Sequence, residues 1–184
     1  MGVRDWFKKR SAEAPAAVEV RATMKGPSKS PPDGYESPYL RAELMPELLV
    51  ADAEGMPPLY FTRHGGAWWL AENSTGKLVN VATRQLRGLG IWSCRIRGDA
   101  YAPRALRIGV VELVREPDNP YDRNAVAIHQ DGQRVGYFNK GMAAGVAKVL
   151  DRGDELQAIG IAADPPKVVA SSPAIMEHLV RRMR

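Results

Sequence analysis

Residues 115–140 read REPDNPYDRNAVAIHQDGQRVGYFNK and place an aromatic ring beside a carboxylate in a predicted loop. Tyr121 and Asp122 lie in a cluster of Pro, Asn and Asp, the residues that form turns. Because a residue before proline is pushed toward an extended conformation, Asn119 helps to present Tyr121 outward. An exposed ring can stack on a flat ligand, and a carboxylate can accept a hydrogen bond. The alternative is a structural latch, in which the ring plugs the fold and Asp122 caps amides near Asn124.

The remaining composition excludes several kinds of chemical site. The chain has a single cysteine, Cys94, which rules out an internal disulfide framework and a cysteine-based zinc site. Cys94 shares strand parity with Trp92 and Ile96, so we expect it to be a small buried core residue. The three histidines are far apart and belong to no metal-binding spacing. We therefore expect neither a metal nor another cofactor.

The charge balance is compatible with an anionic partner. The net charge is +5 and the isoelectric point is near 9.5. Lysine and arginine contacts to phosphates release counterions, although many proteins without a polyanionic partner carry a similar charge. No apolar run is long enough to cross a membrane, and the start MGVRDWFKKR is not followed by an uninterrupted signal-peptide core. We expect a cytoplasmic protein with no membrane partner.

Short strands and tight turns dominate the chain after residue 58. LYFT and AWWLAE form a predicted hairpin around glycines, and LVNVATRQL predicts a third strand or a short helix. IWSCRIRG and ALRIGVVELVRE are two further strands. AVAIHQ and QRVGYF form a hairpin with Asp131-Gly132 as its two-residue turn, a strong hairpin signal. ELQAIGIAA is another strand, and VVA is a candidate short one.

Two helices complete the pattern. NKGMAAGVAKVLDRG predicts a helix that begins after Asn139, and the last helix begins after Ser172 with Pro173 in its first turn. Short strands with one inserted helix indicate a mostly β fold, a small partly open β-barrel.

Trp68 and Trp69 are adjacent on a strand and must point to opposite faces. We expect one ring in a core and the other covered by the module that follows.

Several of these segments together resemble the HIRAN domain family. The resemblance is carried by PDNPYDRNAVAI, by the following VGYFNK, by the helix ending in Leu150-Asp151 and by the upstream IRGDAY. It covers residues 88–165 and implies an OB-like barrel. Composition and pattern on either side of it predict a flexible basic arm over 1–35, an extension with the β-hairpin over 36–87, and a strand and helix over 166–184.

The resemblance also implies a non-catalytic module that captures the 3′ end of single-stranded DNA in DNA repair or stalled-fork processing. Carried over from the family motif, Tyr121 stacks on a base and Asp122 accepts a hydrogen bond from the terminal 3′-hydroxyl. Tyr101 lies where the family keeps a second stacking aromatic. Tyr137 and Lys140 lie where the family has further contacts with the DNA strand. A helicase, a translocase or a nuclease is the expected protein partner.

The chain departs from the family pattern at two places. Ala100 stands where the family's best understood member has an arginine before its first tyrosine, and Arg97 or Arg104 is expected to compensate from nearby. No aromatic residue follows Gly160 at the position where the family places another ring near DNA. Both departures predict a shallower pocket, a weaker affinity or a different ligand.

Ordinary structural interpretations stand beside these functional ones. Tyr101 can be a packed residue at a strand end, and Lys140 a solvated lysine at the start of a helix. Tyr137 precedes Phe138, so one of the two rings must leave the core face.

Two other function classes stay open. A nuclease could use Asp118, Asp122 and Glu155. An adaptor could use the Trp68/Trp69 hairpin or the apolar line of the last helix, namely Ile175, Leu179, Val180 and Met183.

Overall fold

A computed structural model of the chain describes residues 36–81 and 83–183. The chain divides into two units, Met1–Glu36 and Ser37–Arg184. The second unit contains every element below. The predicted basic arm over residues 1–35 lies outside the described residues.

The extension that precedes the barrel is built from short elements. They are a 3₁₀ helix Ala42–Leu44, α1 Met45–Leu48, β1 Leu59–His64, β2 Ala67–Glu72 and α2 Arg84–Gly88. β1 and β2 form an isolated antiparallel hairpin, as predicted. The ambiguous segment LVNVATRQL contributes the short helix α2 rather than a named strand.

The remaining elements form the barrel and the C-terminal helix. They are β3 Ile91–Arg95, a 3₁₀ helix Asp99–Tyr101, β4 Gly109–Arg115, β5 Val126–Gln130, β6 Gln133–Tyr137, α3 Lys140–Asp151, β7 Gln157–Ala163, β8 Pro166–Ser171 and α4 Pro173–Arg181. The candidate strand VVA is part of β8. Asn139 caps α3, because its Oδ1 accepts a hydrogen bond from the Met142 N–H at 3.0 Å. Ser172 caps α4 in the same way.

One curved sheet holds six of the eight strands in the order β3-β8-β7-β4-β5-β6, with antiparallel neighbours throughout. Its two edge strands meet just beyond β3. The Arg97 N–H donates to the Tyr137 carbonyl at 2.9 Å, and the Tyr137 N–H donates to the Arg97 carbonyl at 2.8 Å. This pair of bonds joins the edges only at one end. The fold is therefore the mostly β, partly open barrel that the sequence predicts.

The barrel interior is filled by alternate residues of the strands and closed by α3. The inward residues Cys94, Ile96, Val126 and Ile128 are buried together with Val146 of α3. Burial raises the pKa of the Cys94 thiol from its ordinary value of 9.0 to about 11. Cys94 is thus the small buried core residue that its strand parity predicts.

A second apolar core covers the outer face of β3, β7 and β8. Residues of the extension, of these strands and of α4 pack together there, among them Phe61, Leu86, Ile91, Val169 and Leu179. This explains an unexpected burial. Ser93 alternates with the inward Cys94 and so faces outward, yet it is fully buried beneath the extension and its hydroxyl donates to the Val168 carbonyl at 2.8 Å.

The two adjacent tryptophans separate as the strand period requires. Trp68 packs against the second core, and the guanidinium of Arg63 lies 4.7 Å from its ring centre. Trp69 faces the other way, and Lys167 of β8 covers its ring at 4.4 Å. The cover therefore comes from the following module, as expected.

Helix α4 docks with only part of the apolar line Ile175, Leu179, Val180 and Met183. Met176 and Leu179 are buried, whereas Val180 and Met183 are 40% and 37% exposed. The apolar line proposed for an adaptor is thus only partly free, because Leu179 belongs to the core and Ile175 packs against it. In the described part of the chain, no helix is both long enough and apolar enough to cross a bilayer.

Gly136 permits the close approach that joins the barrel edges. A Cβ added there lies 2.8 Å from Ile96 Cδ1 and 2.9 Å from the Arg97 carbonyl oxygen, and the φ angle is +155°. The register of β5 and β6 shifts beside it, between Ile128 and His129. Glycine is therefore required sterically at the bulge where β6 meets the chain beyond β3.

Gly136→Ala should destabilise the fold by about 1–3 kcal/mol, because the new methyl group has no space against a backbone carbonyl. Gly88→Ala is the matched control, since a Cβ there meets nothing within 4 Å and needs no positive φ. Urea unfolding of both variants measures the difference. Equal midpoints for the two variants would contradict the steric requirement at Gly136.

Candidate nucleic-acid interface

A cleft of about 680 Å³ opens at the joined end of the barrel. Its lining combines aromatic, acidic and basic side chains: Arg97, Tyr101, Glu116, Asn119, Tyr121, Asp122, Arg134, Tyr137 and Lys140. Five of the six predicted site residues are thus brought together from the 3₁₀ helix, the loop before β5, the end of β6 and the start of α3. Arg104 is the exception.

Arg104 is held at the turn of the β5–β6 hairpin, away from the cleft. Its guanidinium pairs with Asp131 at 3.1 Å, and Arg107 pairs with the same carboxylate. Asp131 belongs to the predicted Asp-Gly turn, in which both residues have positive φ angles of 53° and 72°. The structure therefore does not bring Arg104 to the cleft, whereas Arg97 lines it.

Asn119 organises the loop that carries Tyr121 and Asp122. Its side-chain Oδ1 accepts hydrogen bonds from the Tyr121 N–H at 3.0 Å and from the Asp122 N–H at 3.3 Å. Its Nδ2 donates to Glu116 at 2.7 Å. The loop is closed by the Ala125 N–H, which donates to the Asp122 carbonyl at 2.8 Å. These bonds fix the backbone on both sides of the exposed ring.

Glu116 connects this loop to strand β6. Besides Asn119 it accepts a hydrogen bond from the Tyr137 hydroxyl at 3.2 Å. Arg134 donates to the same hydroxyl at 2.9 Å, and its guanidinium lies 5.2 Å from the Tyr137 ring centre. Desolvation, and then the negative charge of Glu116, raises the pKa of Tyr137 above its ordinary value. The phenol therefore stays neutral and keeps its proton for Glu116.

The rings of Tyr101 and Tyr121 stand out into solvent at the cleft. They are 89% and 92% exposed, which is unusual for residues of this size. An exposed ring does not plug the barrel, so the latch interpretation of Tyr121 is wrong. Tyr101 is likewise not packed at a strand end. Phe138 occupies the core and Tyr137 faces the cleft, which resolves the choice between these two adjacent rings.

The carboxylate of Asp122 has both a structural contact and an unused oxygen. Oδ1 accepts a hydrogen bond from the Asn124 N–H at 2.8 Å, so the capping interpretation holds for this atom. Oδ2 has no hydrogen-bond partner among the described residues. Capping and ligand binding are therefore compatible in the same side chain.

Arginine 115 anchors the base of the loop to α3. Its guanidinium forms two bonds with the Asp151 carboxylate, at 2.9 and 3.1 Å, and donates to the Ala125 carbonyl at 3.2 Å. Arg115 is mostly buried, so this paired geometry restrains the loop more than an exposed ion pair does. The loop, β4 and the end of α3 are thereby linked.

Within residues 36–81 and 83–183, no group of three or more His, Cys, Asp or Glu side chains could hold a metal ion. Asp118, Asp122 and Glu155 therefore do not form the metal site that the nuclease alternative needs.

Sequence reasoning missed Glu116 and Arg134. Strand alternation places Arg134 and Tyr137, three residues apart, on opposite faces, but the register shift in this hairpin brings both to the cleft. The glycine at 136 inside a strand pattern was the available signal for a bulge. Glu116 directly precedes the PDNPYD motif and carried no signal of its own.

Asn119→Ala should lower the free energy of unfolding by about 1–3 kcal/mol, because the change leaves two loop amides without their acceptor and removes one of the donors to Glu116. Asn124→Ala is the matched control, since only the backbone of Asn124 is used in this loop. Urea titration of both variants tests the difference. If Asn124→Ala is as destabilising as Asn119→Ala, the Asn119 side chain does not organise the loop.

Comparison with known proteins identifies the family. A family model described as the HIRAN domain matches residues 88–180. Helicase-like transcription factor from rabbit (Oryctolagus cuniculus) is 46% identical over 43 residues, which is 23% of this chain and 4% of that protein. The mouse (Mus musculus) protein is 44% identical over 43 residues, with the same shares. The chain thus matches only a small part of these curated relatives.

Three solved structures are similar to about half of this chain. The crystal structure of the HIRAN domain of human HLTF has a TM-score of 0.41 at 21% identity, covering 50% of this chain and 85% of that one. A Lactobacillus plantarum protein has a TM-score of 0.37 at 23% identity, covering 45% and 92%. An NMR structure of the HLTF HIRAN domain in its DNA-bound conformation has a TM-score of 0.36 at 21% identity, covering 49% and 85%. Since the family model matches half of its length, the chain belongs to the HIRAN domain family.

Proposed function

We propose that this chain is a non-catalytic DNA-binding module that recognises single-stranded DNA at free 3′ ends. The observation that carries the proposal is the cleft itself, in which two exposed tyrosine rings stand beside the Asp122 carboxylate and three basic side chains. The HIRAN domain of HLTF has been described in a DNA-bound conformation, which supports the same ligand class here.

The two exposed rings are suited to unpaired bases. Stacking of a base on an aromatic side chain contributes roughly 1–3 kcal/mol and does not depend on sequence, because every base has a flat face. Bases within a duplex are already stacked on one another, so rings at the rim of a cleft favour a single strand or a frayed end. Tyr101 and Tyr121 are the proposed platforms.

The basic residues supply affinity for the backbone. Arg97 and Lys140 form no ion pair with a carboxylate in the part of the chain that the structure describes, and both are exposed. Lys140 is the first residue of α3, where its charge is mildly unfavourable to the helix, so a phosphate contact gives it a purpose. These cations offset the acidic side chains of the same cleft.

Asp122 supplies the preference for an end. A carboxylate attracts the proton of a terminal hydroxyl but repels the phosphate of a continuing strand. The free Oδ2 is the proposed acceptor, while Oδ1 stays bound to the loop backbone. Such a module fits DNA repair or stalled-fork processing in a nucleoid-associated setting, with a helicase, a translocase or a nuclease as partner.

Tyr121→Ala should weaken binding of a fluorescent single-stranded oligonucleotide by roughly 1–3 kcal/mol, because one stacking platform is lost. The thermal midpoint should change little, since the ring is 92% exposed. Tyr121→Phe is the control and should keep most of the affinity. Unchanged DNA binding by Tyr121→Ala would remove Tyr121 from the site.

Asp122→Asn should abolish discrimination between oligonucleotides that end in a 3′-hydroxyl and those that end in a 3′-phosphate. The amide keeps the size and can still accept from the Asn124 N–H, but it no longer repels phosphate. The wild type should prefer the hydroxyl end in competition binding. Equal binding of both ends by the wild type would reject end capture even if the protein bound DNA.

A further inference from the structure

A row of basic side chains leads out of the cleft along the outer face of the sheet. Arg97 lines the cleft, and Arg95 precedes it by two residues on an extended chain, about 7 Å away. Arg95 pairs across the sheet with Lys167 of β8, and such partners share one face. The alternating residues Cys94 and Ile96 are buried in the barrel, so Arg95, Arg97 and Lys167 all point outward.

The charges in this row are not neutralised by the protein. Of the residues the structure describes, no carboxylate lies within ion-pair distance of Arg95, Arg97 or Lys167. By contrast, Arg115 is paired with Asp151 and Arg181 with Glu177. Unpaired cations arranged along a surface are the electrostatic pattern of a groove that follows a phosphate backbone.

The row ends at aromatic residues of the extension. The Lys167 ammonium lies 4.4 Å from the centre of the Trp69 ring, so a cation–π contact positions it without cancelling its charge. The ring of Tyr39 meets Trp69 edge-on at 5.7 Å and is 43% exposed. Tyr39 therefore offers a partly free ring next to a positioned ammonium.

A cavity of about 600 Å³ lies beside these three residues. It is lined by the polar side chains of Thr83 and Gln85 as well as by Tyr39, Trp69 and Lys167. The Thr83 hydroxyl is buried and has no hydrogen-bond partner in the described part of the chain. A base entering the cavity can satisfy this hydroxyl through its polar edge while it contacts the Tyr39 ring.

We propose that single-stranded DNA held in the cleft continues over Arg97, Arg95 and Lys167 to a second subsite at Tyr39 and Trp69. This inference rests on the proposed function of the cleft. It makes the extension, which precedes the family match at residues 88–180, part of the DNA-binding surface. The cleft engages the end of the strand, and the second subsite engages nucleotides further from that end.

Length dependence tests the path. Fluorescence anisotropy compares an oligonucleotide of about three nucleotides, which fits the cleft, with one of about ten, within the range that such barrels cover. The wild type should bind the longer strand more tightly and with a steeper salt dependence. Arg95→Gln and Lys167→Gln should each reduce the salt slope for the longer strand by about 0.7, the share of one phosphate contact. Neither change should affect the shorter strand.

Lys148→Gln is the charge-matched control, because Lys148 is an exposed residue of α3 and does not lie on the outer face of β3 and β8. Tyr39→Ala tests the second subsite and should weaken only the longer strand, by about 5- to 150-fold for one lost stack. Its folding is checked by thermal unfolding.

The outcomes separate the two proposals. If the wild type binds both lengths equally, or if Lys148→Gln acts like Lys167→Gln, the extended path is wrong while the cleft proposal stands. If Arg95→Gln and Lys167→Gln weaken both lengths equally, these residues act through overall charge and the path is again wrong. If the wild type binds neither strand, both proposals fail.

Discussion

The backbone pairing of Arg97 with Tyr137 is the contact on which the site depends. It joins the two edge strands of the sheet at one end, and the chain segments that leave this joint carry the cleft residues. The 3₁₀ helix with Tyr101 begins directly after Arg97 and Gly98, and α3 with Lys140 begins after two residues that follow β6. A change in the joint therefore moves several cleft residues together. Gly136 lets the two backbones come this close because it has no side chain.

The restrained loop lowers the entropy that an exposed ring would lose on binding a ligand. A tyrosine side chain in a flexible loop would lose conformational entropy on binding, and that loss would subtract from the stacking energy. Here Asn119 and Glu116 hold the loop from below, and Arg115 ties its base to Asp151. The ring of Tyr121 stays in solvent while its backbone is fixed. The polar contacts of Asn119, Glu116 and Arg115 thus restrain the loop before any ligand binds.

The sequence predicts the barrel well because alternation and turn chemistry are local. The Asp131-Gly132 turn and the Asn139 cap follow from residues within a few positions of one another. The misplacement of Arg104 and the omission of Arg134 have non-local causes. Arg104 is drawn to the Asp131 carboxylate by a salt bridge between distant segments, and the bulge beside Gly136 reverses strand parity. The burial of Ser93 likewise could not be predicted from the local sequence, because it results from the second core that the extension builds.

The distribution of ion pairs determines where unpaired positive charge remains on the described surface. Asp131, Asp151, Asp154 and Glu177 each pair with arginine away from the cleft, which neutralises much of the charge on those surfaces. Arg95, Arg97, Lys140 and Lys167 keep their full charge. Residues 1–35 hold seven Lys or Arg against four Asp or Glu, so most of the net charge of +5 lies outside the described residues. The four cations near the Arg97–Tyr137 pairing therefore act by their position, because they concentrate a positive field where the exposed rings stand. Charge pairing elsewhere thus supports the proposed interface, because Arg104, Arg107, Arg115, Arg152 and Arg181 are engaged by carboxylates, whereas the cations around the cleft are left for a phosphate backbone.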